Sequence, residues 1–280
     1  MKTVKQFFDF YLHASLHVAL AATALVNVTY IYSKQPMDIK MILFVFLSTV
    51  ASYNLIKYGG YVWKNRKISS YKKSLKAIIF LTTLSFLGSG YLFFYFAFST
   101  QLLIGIVAFL NLLYVVPLKK GATNLRNFSG VKIYIVSLCW AIVTLLIPLA
   151  EDGFICDLDL FIKFIQRFIL TLLLLLIFEI NDLKYDDVRL QTMPQAIGVG
   201  PTKTIIYVLG IFFFALDVLK KATYATQDFV NLILIGIVFL FTYFATPKRS
   251  EYYTLFWVEA VPVFWWILLC VFGTSIQINS

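Results

Sequence analysis

Nine long apolar runs, each cut short by charges, glycine or proline, follow one another along the chain, near residues 9–32, 38–63, 74–98, 102–118, 131–150, 157–182, 202–219, 229–246 and 252–275. Crossing the hydrocarbon core of a bilayer takes about 20 mostly apolar residues in helical form. Backbone polar groups in hydrocarbon must be satisfied within their own segment, so the runs are expected to be helices. Their length excludes the roughly ten-residue alternation of a membrane barrel. The expected fold class is therefore all-α, a polytopic integral membrane protein of about nine transmembrane helices forming one transmembrane domain. Hydrophobic residues make up 60% of the chain and charged residues 14%, against about 45–50% and 25% in soluble domains. No soluble domain is left over.

The charges between the runs set an orientation. With a cytoplasmic N-terminus and the C-terminus outside, only Lys34, Lys40, Lys163, Arg167, Lys220 and Lys221 fall on the outer side, leaving 18 of the 24 basic residues within. This follows the rule that basic loops stay cytoplasmic. The net charge of +10 is interleaved with apolar spans and serves topology and anionic lipid, not nucleic acid. Cys139, Cys156 and Cys270 are far apart and form no CxxC pair, which speaks against a structural metal or a disulfide framework. No signal peptide with a cleavage site precedes the first run, which is expected to act as the targeting element. The three most polar connections, 64–76, 119–132 and 184–203, then share the cytoplasmic face, where a site for anionic substrates would be built.

Residues 53–60, YNLIKYGG, resemble residues 180–187, INDLKYDD, at an offset of 127. Each closes an apolar run ahead of a polar connection. The offset predicts two parallel four-helix repeats, about 9–118 and 131–246, followed by a ninth helix. Only the second copy is acidic. Glu179, Asp182 and Asp186 fall within an arc of about 60° if the helix continues. Three carboxylates on one face need a cation, and an oxygen-rich cluster facing cytosol suits Mg²⁺, whose shell substrate phosphates complete. A solvated helix end with Lys184 and Arg189 as partners is the alternative. Against it, Glu179 follows the apolar run Leu172 to Phe178 at membrane depth, where carboxylates are rare and usually functional.

These residues resemble the UbiA superfamily of intramembrane prenyltransferases, whose second Asp-rich motif is matched by Glu179, Asp182, Asp186, Thr192, Pro194 and Gly198. The stretch Tyr114 to Lys120 is similar to the family's Tyr and basic pair after the fourth helix. The resemblance implies nine helices and a prenyl diphosphate held with Mg²⁺ by Glu179, Asp182 and Asp186. It implies Asp182 and Asp186 as the catalytic pair and Asn54 in support. Lys119 and Lys120 would hold the departing diphosphate, with Tyr114 beside them. The first motif departs from the pattern, since Asn54, Leu55, Tyr58 and Val62 keep only its Asn. Losing those carboxylates also removes negative charge, so Lys57, Arg66 and Lys67 are expected to bind the anion directly.

On the first run Asp9, His13, His17, Ala24 and Asn27 share an arc of about 80°, read mainly as a packing face toward the bundle interior. In the family this helix borders the cavity, which implies that His17 and Asn27 contact an acceptor's polar head. Glu259 is expected to be buried and paired, whereas Asp217 is expected to reach water beside Lys220 and Lys221. The leading expectation is a UbiA-like enzyme of a bacterial cytoplasmic membrane, alkylating a membrane-soluble acceptor or cyclising its substrate. The rivals are a non-catalytic isoprenoid- or lipid-binding descendant that scaffolds a protein partner, and a small transporter.

Overall fold

The computed structural model describes residues 2–64, 73–115, 130–151, 153, 156–220 and 225–277. It is 85% helical with no strand among the described residues. In chain order the helices are α1 (Lys2–His13), α2 (Leu16–Ser33), α3 (Ile39–Lys64), α4 (Lys73–Phe93), α5 (Phe98–Val115) and α6 (Lys132–Ala141). A π-helical segment, Ile142–Leu146, carries α6 into α7 (Ile147–Ala150), and α8 (Leu158–Asp182), α9 (Met193–Ile197), α10 (Val199–Ala215) and α11 (Ala225–Phe244) follow. A second π-helical segment, Tyr253–Val258, opens the last span, which continues as α12 (Val261–Gln277). Eight of these spans are long and apolar enough to cross a membrane, and α5 contributes a shorter apolar helix, Phe98–Leu113. This is the pattern of a multi-pass membrane protein.

Hydrogen bonds between distant segments define two opposite faces. On one, Gln166 in the first half of α8, Asp217 beyond α10, Asn231 in α11 and Tyr32 at the end of α2 form a single buried network. On the other lie the ends of α3, α8 and α11 and the start of the last span. There Lys184 donates to the carbonyl of Arg249 at 3.0 Å and Lys203 to that of Tyr243 at 2.8 Å. Helix α8 is the central element, and Leu170, Leu173, Leu176, Ile177 and Ile180 along it are essentially inaccessible. These side chains are buried against neighbouring helices and not turned to lipid. Helix α4 instead packs mainly on α3 and exposes Phe80, Leu84, Phe86, Leu87 and Tyr91, as a lipid-facing helix does.

The first apolar run is not one helix. It breaks at Ser15, which adopts a left-handed conformation (φ 60°, ψ 23°) and is completely buried. The break is held from α3: Ser15 Oγ donates to Asn54 Oδ1 at 2.8 Å, and Asn54 Nδ2 donates to the carbonyl of Ala14 at 3.0 Å. Lys57 Nζ donates to Ser15 Oγ at 3.1 Å and the Tyr58 hydroxyl to the carbonyl of His13 at 3.0 Å. Carbonyls that the helix would have satisfied thus find partners on α3. The polar stripe expected along one continuous span is therefore divided. Asp9 and His13 belong to α1, where Asp9 accepts a 2.6 Å bond from the Tyr252 hydroxyl, and His17 and Asn27 belong to α2.

Candidate functional site

A cavity of about 450 Å³ lies between α2, α3, α5, α6, α8 and the last span. Its walls are mostly apolar, with Leu25, Phe44, Val107, Leu174 and Phe178 among them. The charged groups on it are Lys57, Lys132, Glu179, Asp182 and Glu259. Lys132 begins α6, Glu179 and Asp182 end α8 and Lys57 lies near the end of α3. Most of the charge is therefore gathered where these helices terminate on one face.

Helix α8 reaches that face under an N-cap, with Asp157 Oδ1 accepting from the Leu160 amide at 2.8 Å. It stops at Asp182. The Tyr185 and Asp186 amides both turn back to the Asp182 carbonyl, at 2.7 and 3.0 Å, so Asp186 lies on a turn and not on a continued helix face. The chain returns through α9, where Gln195 Oε1 accepts from the Thr192 amide at 3.0 Å and Gln195 Nε2 donates to the Asp187 carbonyl at 3.2 Å. Gly198 joins α9 to α10 at φ 89°, a conformation that glycine adopts at little cost.

The convergence of three carboxylates expected from a continuous helix is not formed. Among the described residues no three His, Cys, Asp or Glu side chains are grouped to hold a metal ion. Glu179, 4% exposed, is occupied otherwise, its Oε2 accepting from the Met193 amide at 3.1 Å. Asp182, on the cavity wall, and Asp186, off it, are left, and the Asp186 charge acts on Asp182. Asp186 Oδ2 is buried with no hydrogen-bond partner among the described residues. Burial pushes the Asp186 carboxyl above the usual carboxylate range, and the Lys132 ammonium pulls it partly back. Two such carboxylates, one with an unanswered oxygen, fit a cation that takes only one or two protein ligands, as Mg²⁺ does. Lys132 acts electrostatically on all three acids. Nothing in its position at the head of an apolar run distinguishes a cavity lysine from a topology lysine, so no sequence signal singles it out.

The remaining expected residues divide. Lys57 lines the cavity, with its ammonium 6.0 Å from the Tyr53 ring centroid. Asn54, implied as a supporting ligand, does not line it. Both ends of the Asn54 amide are taken by Ser15 and Ala14. Leu55 is 54% exposed and the Tyr58 hydroxyl is bonded to His13, so these first-motif positions also lie off the cavity. His17 and Asn27 are buried but are not part of its wall. His17 stacks on Phe256, with ring centroids 5.0 Å apart, and its Nε2 lies 2.9 Å from the Phe256 carbonyl. A carbonyl can only accept, so Nε2 carries the proton and Nδ1 accepts from the Tyr11 hydroxyl at 2.7 Å. Arg66, Lys67, Lys119 and Lys120 lie outside the described residues, and for Tyr114 only the backbone is described.

Two acids differ from expectation. Asp217 does not reach water: it is 4% exposed, ion-paired with Lys220 and bonded to Gln166 at 2.8 Å and Asn231 at 3.0 Å. Glu259 opens on the cavity and has no hydrogen bond or ion pair among the described residues, although its charge and that of Lys57 act on each other. A lone acid inside an apolar run was the signal for it. No family model, curated protein or solved structure matches the chain.

Proposed function

We propose that the protein is a UbiA-like intramembrane prenyltransferase of a bacterial cytoplasmic membrane, transferring the prenyl group of an allylic diphosphate to a membrane-soluble acceptor. In this reading α5 completes a set of nine spans, the N-terminus is cytoplasmic and the C-terminus is outside. The observation that carries the proposal is the cavity: an apolar, aromatic-walled chamber with Lys57, Lys132, Glu179 and Asp182 on its wall. An amphipathic substrate with a long hydrocarbon tail and a multiply charged head matches that division. Phe44, Tyr53, Trp140 and Phe178 in the wall offer π faces to an allylic cation.

Asp182 and Asp186 would hold Mg²⁺ together with diphosphate oxygens, and the bound ion would neutralise charge developing on the leaving group. Lys132, whose charge acts on all three acids, would meet the remaining negative charge directly. Glu179, bonded to the Met193 amide, would fix the end of α8 against α9 and so position Asp182.

Incubating the purified protein with labelled prenyl diphosphates, with and without Mg²⁺, tests this reading. Diphosphate release is expected to depend on Mg²⁺ and to fall about 100-fold in Asp182→Asn, the scale of losing one transition-state charge contact. Release at the same rate in both proteins would overturn the assignment of the site. A second reading, a non-catalytic isoprenoid-binding protein, is favoured by one observation, the engagement of Asn54 in the α1–α2 break. It predicts binding without release.

A further inference from the structure

Glu259 is the cavity acid that the proposed chemistry leaves unused. It lies just past the π-helical segment Tyr253–Val258, with its own amide bonded to the Thr254 carbonyl at 3.0 Å. That five-residue spacing is the wide turn that recurs at functional sites. Pro262, also in the cavity wall, has no N–H to return to the carbonyl of Val258. This stretch of the last span is thus locally unwound beside the chamber, and the carboxylate it presents to the chamber has no hydrogen-bond or ion-pair partner among the described residues.

Depth follows from the packing. Thr254 lies beside Asn181, with side chains 3.4 Å apart, and Glu259 is five residues further along a span running back into the membrane. It therefore stands deeper in the membrane than the end of α8. The Asp182 end and Glu259 are therefore two separate polar stations in one apolar chamber.

The chemistry of the deeper station follows from its charges. Lys57 and Glu259 both face the cavity and each charge acts on the other, yet no ion pair closes between them among the described residues. A cation would be opposed by Lys57 and an anion by Glu259. A neutral group that donates to one and accepts from the other is opposed by neither. We propose that Glu259 and Lys57 bind the neutral hydroxylated head of a membrane-soluble ligand whose apolar body occupies the rest of the chamber. Within the prenyl-transfer reading, on which this identification rests, that ligand is the acceptor.

The test needs no prenyl transfer. The purified full-length protein in detergent is treated with a hydrophobic carbodiimide, which modifies carboxyl groups accessible from an apolar phase, and labelling of the Glu259 peptide is followed by mass spectrometry. Labelling at Glu259 is expected, absent in Glu259→Gln, and slowed at least tenfold by saturating 4-decylphenol but not by 4-decylanisole, which lacks the hydroxyl hydrogen. Equal slowing by both probes, slowing by neither, or no labelling of Glu259 would overturn the proposal. A tenfold slowing by the phenol in a protein that releases no diphosphate from any prenyl diphosphate would uphold this station while removing the prenyl-transfer reading. Normal release with no phenol effect would do the reverse.

Discussion

Behind the cavity wall Arg167 is 2% exposed, and its NH1 donates to the Leu25 carbonyl at 2.8 Å and to Thr144 Oγ1 at 3.0 Å, both residues of that wall. NH2 donates to Thr29 Oγ1 at 3.3 Å, and the guanidinium lies 5.1 Å from the Trp265 ring centroid. Every hydrogen-bond acceptor in this set is neutral. The planar fork reaches two helical segments and a ring on a third at once, which a lysine ammonium cannot do. Arg167→Lys is therefore expected to lower stability by about 1–3 kcal/mol, visible as a lowered thermal midpoint in detergent. An unchanged midpoint would show that the fork geometry contributes nothing. At this scale the sequence revealed the acids more readily than their partners. A carboxylate following seven apolar residues is conspicuous, so Glu179 and Asp182 stood out. That Glu179 meets the Met193 amide, or that Asn54 closes a break 39 residues away, depends on tertiary contacts with no local sequence pattern.

Among the elements, the turn at Ser15 is the one that hydropathy could not reveal. Neither glycine nor proline marks it, and apolar residues continue on both sides. Its stability comes from α3, through Asn54, Lys57 and Tyr58. Ser15→Val removes the hydroxyl and places a β-branched side chain at φ 60°, so a loss of about 2–3 kcal/mol is expected. Ser15→Gly removes the same hydroxyl but tolerates the backbone. It should therefore be milder than the valine variant by about 1 kcal/mol, as compared by detergent thermal melts, and equal losses would exclude backbone strain. The two π-helical segments did leave a trace. Pro148 and Pro262 each stand four residues after a carbonyl deprived of its donor, Thr144 and Val258, and the first is taken by Thr29 Oγ1 at 2.6 Å.

Over the whole molecule the apolar runs were read directly as spans, because lipid allows a long apolar segment essentially one secondary structure. The exceptions are the first run, divided in two, and the shorter α5. Which face is cytoplasmic was argued from lysines and arginines, and exposed Cys156, between α7 and α8, tests it. A membrane-impermeant maleimide added to intact cells should label Cys156 and lose that labelling in Cys156→Ala. Labelling only after lysis would reverse the orientation.

The cavity and the buried Tyr32–Asn231–Asp217–Lys220 cluster lie toward opposite faces, and Arg167 stands between them, bonded to Leu25 and the Thr144 side chain of the cavity wall. A fixed positive charge there opposes passage of protons and metal cations, as an arginine does in a water-selective pore. However freely ligands exchange on the charged side, inorganic cations are expected to go no further. Reconstituted into a planar bilayer, the protein should leave the membrane electrically silent.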